Sequence, residues 1–266
     1  SQINLLLDTV LASFLQTGSV SWLYYADRLS ELPLGAFGIA IGTVILPSLT
    51  RQHAGEDPKA FSDTLNWALR MVLLVGIPAA LALGILAEPL IASLFFYGAM
   101  SEEAVVQSAN ALEAYSLGVL AFMLIKGLAP GFFARQDLKT PVRVAIICMI
   151  ANMALNLMLI WPLQHVGLAL ATSLSSMLNA GLLFWGLYKT GVFRFTPGWG
   201  LFLLRLVGGC AAMVAMVWWL NAPSVEWFAW GWQQRALQLG LLVGAGLGAF
   251  AAGLVVLGLR PRHLRH

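Results

Sequence analysis

Charge is scarce in this sequence: Asp, Glu, Lys and Arg make up 10% of 266 residues, against about a quarter in soluble domains. That deficit excludes a soluble multidomain enzyme, and it excludes a disordered or collagen-like chain. Cysteine is nearly absent. Cys148 and Cys210 lie far apart inside apolar runs, which argues against a disulfide framework and leaves them as small core residues. The four histidines, His53, His165, His263 and His266, fall in loops or the tail. None has a partner at metal-ligand spacing, so all four are expected to be solvated. No Ser/His/Asp or Cys/His set is present, and nothing argues for an enzyme. The weak alternation of an outer-membrane barrel is missing too.

What is there is apolar. Hydrophobic residues make up 59% of the chain, in runs of about twenty, the length that spans a bilayer as a helix. The expected fold is an all-α polytopic membrane protein with eight spanning segments, at about 1–16, 19–50, 65–86, 104–133, 141–162, 165–188, 200–220 and 236–258. The first run covers only about 20 Å, too short for a hydrocarbon core about 30 Å thick. It has no basic n-region and no cleavage site, so it is no signal peptide. It reads as the remainder of a helix, and the chain as the C-terminal part of a longer protein. Pro33 and Pro47 predict a kinked or broken second segment, and Pro78 a bent third. Turns are expected at Thr17-Gly18-Ser19, at 54–58 and at Trp161-Pro162. Gly208, Gly209, Gly240, Gly244, Gly246 and Gly248 sit inside apolar helices and read as close helix packing.

The net charge of +3 is mostly topology. If the segments alternate, the connections at 51–64, 134–140 and 189–199, the tail at 259–266 and the adjoining helix ends share one side. That side holds twelve of the fifteen basic residues, which marks it as cytoplasmic and gives nucleic acid no role. The opposite side has Arg235 with Glu102, Glu103 and Glu226. Trp227, Trp230 and Trp232 are expected there as an interfacial aromatic belt.

Two basic residues remain, both inside apolar segments. Arg28 and Lys126 each lie nine residues, roughly 13 Å, from a helix end, near the midplane. An Arg or Lys there costs at least about 2.5–3.5 kcal/mol on insertion scales. Either an internal salt bridge offsets that cost, with Glu31 one turn from Arg28, or both side chains line a wet cavity that receives an anion. Ser21, Tyr24, Tyr25 and Arg28 share roughly one helical face. A guanidinium fork beside hydroxyls suits a phosphorylated or glycosylated substrate.

A second constellation is quieter. Asp8, Asn152, Asn156 and Thr172 fall at one depth on three segments. An intramembrane carboxylate with amide and hydroxyl oxygens suits a hard cation such as Na⁺, or a proton. The alternative for Asn152, Asn156 and Thr172 is interhelical hydrogen bonding.

The stretch Ser19-Val20-Ser21-Trp22-Leu23-Tyr24-Tyr25-Ala26-Asp27-Arg28-Leu29, with Pro33 and Gly-Thr-Val-Ile-Leu-Pro-Ser-Leu at 42–49, resembles the MurJ (MviN) family of lipid II flippases. So do Lys126-Gly127-Leu128-Ala129-Pro130-Gly131-Phe132-Phe133-Ala134-Arg135-Gln136-Asp137 and Thr140-Pro141-Val142. The resemblance covers essentially the whole chain. It implies the C-terminal lobe of a multidrug/oligosaccharidyl-lipid/polysaccharide flippase-type transporter, corresponding to the family's seventh to fourteenth helices. Residues 1–190 would be a six-helix lobe, and 191–266 two further helices that form a groove for the lipid tail, ending in a basic cytoplasmic tail.

By the same resemblance the substrate is undecaprenyl-pyrophosphate-linked peptidoglycan precursor, moved across the bacterial inner membrane by alternating access. Ser21, Asp27 and Arg28 match the family's essential Ser, Asp and Arg, and Lys126 its cavity Lys. Tyr24 joins them from the helical face. Asp8, Asn152, Asn156 and Thr172 match a sodium site of some members, with Asn156 standing where those carry a second carboxylate. The implied partners are lipid II, membrane lipids and the N-terminal lobe. No cofactor is implied beyond Na⁺ or proton coupling. A flippase for another polyprenyl-linked oligosaccharide is the alternative. A multidrug exporter of the same superfamily should have a carboxylate-dominated cavity instead.

Overall fold

The computed structural model describes residues 2–258, and side chains within that range except at 2–5 and 36–42. The basic tail, with Arg260, Arg262, Arg265, His263 and His266, lies outside the described residues. Within them the chain forms α1 (Gln2–Ser13), α2 (Ser19–Ala54), α3 (Pro58–Ile85), α4 (Ala87–Phe95), α5 (Glu102–Phe133), α6 (Lys139–Lys189), α7 (Trp199–Leu220), α8 (Ser224–Ala229) and α9 (Trp232–Val256). Among the described residues α3, α5, α6, α7 and α9 are long and apolar enough to cross a membrane. The fold is that of an all-α polytopic membrane protein.

Helix ends follow local chemistry. Asp57 caps α3 by accepting from the Ala60 amide at 2.9 Å, with Pro58 opening the first turn. Ser101 caps α5 in the same way, ahead of Glu102 and Glu103. Of the kink or break expected in the second segment, the break is not found: α2 runs through Pro33 and Pro47 as one helix. Each proline removes one hydrogen bond, a loss that a long helix inside a bundle tolerates.

The two segments expected at 141–162 and 165–188 are the two arms of α6. They meet at Gln164, whose φ of 50° and ψ of −129° leave the helical region, a conformation costly for a residue with a Cβ. There the chain reverses. Asn152 on the first arm donates to Ser175 on the second at 3.3 Å, although 23 residues of straight helix would separate them by about 35 Å. Gly167 permits the reversal, since a Cβ there would collide with the Leu159 carbonyl.

α5 is the central helix, with α2, α3 and α6 packed around it. Leu65, Leu69 and Val72 of α3, Leu112, Val119 and Leu128 of α5, and Leu168 and Leu187 of α6 form one buried core. Its tightest crossing is at Gly118, where a Cβ would sit 2.9 Å from the Ser173 Cα. Small residues at a crossing let backbones approach where lipid gives no hydrophobic drive. Ser173 there donates to the Ala114 carbonyl at 2.7 Å.

α7 and α9 pack as a pair beside this core. A Cβ on Gly253 would lie 3.1 Å from the Gly209 Cα, and one on Gly246 2.9 Å from Val217. Gly240, Gly244 and Gly248 face open space instead, so the glycine run marks only in part a packed seam. Between the pair and α3 lies an apolar cavity of about 360 Å³, lined by Pro33, Pro78, Met213, Val217, Leu242 and Phe250 among others.

Two polar clasps hold the pair to the core. Asn66 on α3, buried, donates to the carbonyls of Ser62 and Arg194, both at 2.8 Å, and accepts from Trp199 Nε1 at 2.6 Å. It thereby ties down the connection between α6 and α7, and Arg70 adds a bond to the Pro197 carbonyl at 3.1 Å. At the other end Arg235 of α9 reaches the carbonyls of Ala92 and Phe96 at the end of α4. The aromatic belt also differs from expectation. Trp227 is buried against Leu86 and Met213, with its Nε1 donating to Asn221, because α8 folds back onto α4. Among the described residues the exposed tryptophans are Trp161, Trp185, Trp218, Trp219 and Trp232.

Candidate functional site

Asp8 on α1 meets both arms of α6. Asn156 Nδ2 donates to its Oδ1 at 2.6 Å, and Thr172 Oγ1 to its Oδ2 at 3.4 Å. Asn156 Nδ2 also lies 3.4 Å from Asn152 Oδ1. All four residues expected at one depth are therefore one hydrogen-bonded group, across 164 residues of sequence from Asp8 to Thr172. Both Asn side chains are buried, and Asn156 Oδ1 has no partner. An orphaned amide oxygen beside a carboxylate is a free position for a cation. Ser175 also belongs to the group, through Asn152. The sequence signal for it was its place three residues after Thr172, on the same face.

A cavity of about 450 Å³ opens beside this group, lined by Asp8, Thr172, Ser176, Asn179, Tyr115 and Asp27 among others. Asp27 thus faces the α5–α6 side, toward Asp8. Its neighbour Arg28 does not. The Arg28 side chain is 57% exposed, pairs with Glu31 at 3.3 Å and lies over the Tyr24 ring at 5.0 Å. Adjacent residues on a helix point about 100° apart, which is why the two charges diverge. The salt-bridge partner that sequence spacing favoured, Glu31, is the one found. An exposed pair of this kind contributes little to stability.

Ser21, Tyr24 and Arg28 form the exposed stripe. Tyr25 leaves it, packing its ring 4.8 Å from Phe95 of α4. Lys126 is exposed on α5 and has no hydrogen bond or ion pair among the described residues. The structure does not join it to the stripe by any contact.

His165 is the clear correction. It is buried, not solvated. The reversal at Gln164 turns it inward, where Nε2 donates to the Gln107 carbonyl at 3.1 Å and the ring lies 5.0 Å from Trp22. Cys148 and Cys210 are buried free thiols, as expected. No group of three His, Cys, Asp or Glu side chains able to hold a metal occurs among the described residues. The cation reading therefore rests on amide and hydroxyl oxygens around a single carboxylate.

Comparisons with known proteins add to this geometry. A sequence model of the family described as lipid II flippase MurJ matches residues 1–232. A protein of Vibrio cholerae named probable lipid II flippase MurJ is 49% identical over all of this chain and 50% of its own length. One of Burkholderia cenocepacia, named lipid II flippase MurJ, is 40% identical over 95% of this chain and 48% of its own length. The chain spans about half the length of the curated relatives it matches. A solved structure of lipid II flippase MurJ in an inward closed conformation superposes with a TM-score of 0.78 at 25% identity, over 96% of this chain and 50% of its own. A multidrug transporter of the MATE family, outward-facing, matches with a TM-score of 0.59 at 19% identity, over 95% of this chain and 60% of its own, a likeness of fold alone.

Proposed function

This chain belongs to the lipid II flippase MurJ family, and from that premise we propose that it serves as the C-terminal lobe of a lipid II flippase. It would work with a second lobe, corresponding to the half of its relatives that it does not span. Together they would carry undecaprenyl-pyrophosphate-linked peptidoglycan precursor from the cytoplasmic to the outer leaflet by alternating access. The observation that carries this reading is Arg28. A guanidinium on α2, in the segment that the sequence reads as spanning, lies exposed in a weak pair with Glu31, beside Tyr24 and Ser21. Its fork is free to grip a pyrophosphate in bidentate fashion, and Lys126 supplies a second mobile charge. No covalent chemistry is assigned. The apolar cavity between α3, α7 and α9 is the fitting place for the lipid tail, which makes residues 191–266 a unit added to the lobe formed by 1–190.

Asp8, Asn152, Asn156 and Thr172 would hold Na⁺ or a proton whose binding favours one access state. The protein would lie in the bacterial inner membrane with its C-terminus cytoplasmic, on the strength of the basic connections. The test is rescue of a MurJ-depleted cell. The full-length protein containing this chain should restore growth, Arg28→Ala should not, and Arg28→Lys should do so in part because the fork is lost. Normal growth of the Ala variant at native expression would overturn the reading.

A further inference from the structure

Asp27 sits in the stretch that marks the substrate helix, yet its carboxylate does not join the substrate stripe. It lines the same cavity as Asp8, together with Tyr115, Thr172, Ser176 and Asn179. Among the described residues the one ion pair is Arg28–Glu31, so neither Asp8 nor Asp27 has a basic partner. An unpaired carboxylate inside an apolar bundle demands a compensating cation or proton, since its charge is otherwise stranded at low dielectric. Two such groups on one cavity double that demand. An independent observation points the same way: Asn156, almost fully buried, directs its amide N–H groups to Asp8 and Asn152 and leaves its own Oδ1 without a donor. The cavity wall between the carboxylates carries hydroxyls of Tyr115, Thr172 and Ser176 and the amide of Asn179. Those are ligands suited to a monovalent cation moving with part of its hydration shell.

We infer that Asp27 is a second carboxylate of the cation route, a waypoint between the cavity and the Asp8 group, and not a substrate contact. The inference deepens the cation reading proposed above and rests on it. Its consequence is a short mechanical link. Asp27 and Arg28 are consecutive on α2, so a cation held at Asp27 and a pyrophosphate held at Arg28 act on one helical turn. Whatever rotation or shift of α2 improves one contact alters the other, which is how two sites acquire a coupling free energy.

The experiment uses the full-length protein in proteoliposomes, with conformation-sensitive crosslinking read against Na⁺ at fixed pH, and separately against pH without Na⁺. Both series are run without substrate. Binding of lipid II is then measured on the same preparations. In the parent, one of the two cations should shift the crosslinking pattern, and Asp8→Asn should remove that shift. Asp27→Asn should move the midpoint by about tenfold or more while lipid II binding stays within about twofold of the parent. Asp27→Glu should restore most of the response, which also shows that the position tolerates substitution. Arg28→Ala should show the reverse pattern, with an intact cation response and lost lipid binding.

If Asp27→Asn abolishes lipid II binding and leaves the cation midpoint within about twofold, Asp27 is a substrate contact and the inference is wrong, with the Asp8 reading intact. If the parent responds to neither Na⁺ nor pH, the Asp8 reading fails and the inference fails with it.

Discussion

Arg235 should be the most sensitive single position for the attachment of α9. It lies in the first turn of that helix and is 7% exposed. Its Nη1 donates to the Ala92 carbonyl at 2.9 Å and the Phe96 carbonyl at 3.2 Å, its Nε to the Trp230 carbonyl at 2.8 Å, and its guanidinium lies 4.8 Å above the Phe96 ring. α4 is nine residues long, and the last four carbonyls of any helix have no partner inside it. Arg235 supplies that missing cap from another helix, and its positive charge suits the negative end of the α4 dipole. Replacing Arg235 with Met keeps most of the packed stem and removes the donors. Two charge-assisted bonds into α4, at about 1.5–3 kcal/mol each, and two carbonyls left dry put the local loss at about 3–5 kcal/mol.

Hydrogen exchange on the full-length protein in nanodiscs reads this loss directly. At about 1.4 kcal/mol per decade, amides in the last turn of α4 should lose roughly two to three and a half decades of protection, and those at the start of α9 should follow. Arg235→Lys should recover part of it, since an ammonium can donate to the α4 carbonyls but lacks the Nε bond to Trp230 and the planar group over Phe96. If Arg235→Met leaves the last turn of α4 protected as in the parent, the cap is idle and α9 is held by apolar contact alone.

Three further outcomes follow from the same coordinates. Asn66→Leu should leave Trp199 Nε1 unpaired and take from the Arg194 carbonyl the closer of its two donors, leaving it only Ser62 Oγ at 3.3 Å, weakening the 190–199 connection by about 1–3 kcal/mol. Protease added to inverted membranes should then cut there faster than in the parent. Asp137 accepts from both the amide and the hydroxyl of Thr140, which hold its carboxyl below the ordinary Asp value. Because the folded value is the depressed one, this support for the start of α6 is present at neutral pH and is lost as pH falls through that lowered value. Protection of the Lys139, Thr140 and Val142 amides, taken relative to the intrinsic exchange rate at each pH, should therefore fall in acid, and Asp137→Ala should abolish that pH dependence at a cost of about 1 kcal/mol or less. Cysteines placed at Gly98 or Ser224 should react with an impermeant reagent from outside the cell and one at Gly55 should not; the opposite pattern would invert the topology.

The helices were legible because lipid imposes a length. A run of about twenty apolar residues has few alternatives once the backbone must satisfy itself, and every segment drawn from the sequence corresponds to a helix or to one arm of α6. The Asp8 group was legible for a related reason. Depth in a membrane is counted from helix ends, so residues far apart in sequence share one coordinate. What depth does not supply is azimuth between helices. Tyr25 counted as part of the stripe on spacing alone, yet it turns to Phe95 because α4 occupies that side. His165, Trp227 and Arg235 looked like loop or interface residues, and each is buried by an element that folds back on it. Asn66 reads as one polar residue in an apolar segment; its role depends on a connection more than a hundred residues away.

The way α1 is held bears on how a cation could select a conformation. Of its described side chains only Ala12 is buried, while Leu6 and Val10 are largely exposed. Apolar packing of the described side chains therefore fixes α1 weakly, and a polar tie to the bundle is the carboxylate of Asp8 on Asn156 and Thr172. Each of those donors comes from a different arm of α6, and the arms are already locked to one another by Asn152 and Ser175. α6 thus offers both donors from arms tied to one another, whereas α1 brings one buried side chain and the carboxylate of Asp8. A ligand shifts an equilibrium only by its difference in affinity between the two states. On the proposed reading, a cation lodged against Asp8 and Asn156 Oδ1 would have that difference built in, because it would gain oxygens from α6 only in a state where α1 is docked as here. The hydrogen bonds of the carboxylate to Asn156 and Thr172 leave one amide oxygen, Asn156 Oδ1, unanswered among the described residues. On the proposed reading, filling that position would turn this contact between two helices into a state that a cation selects.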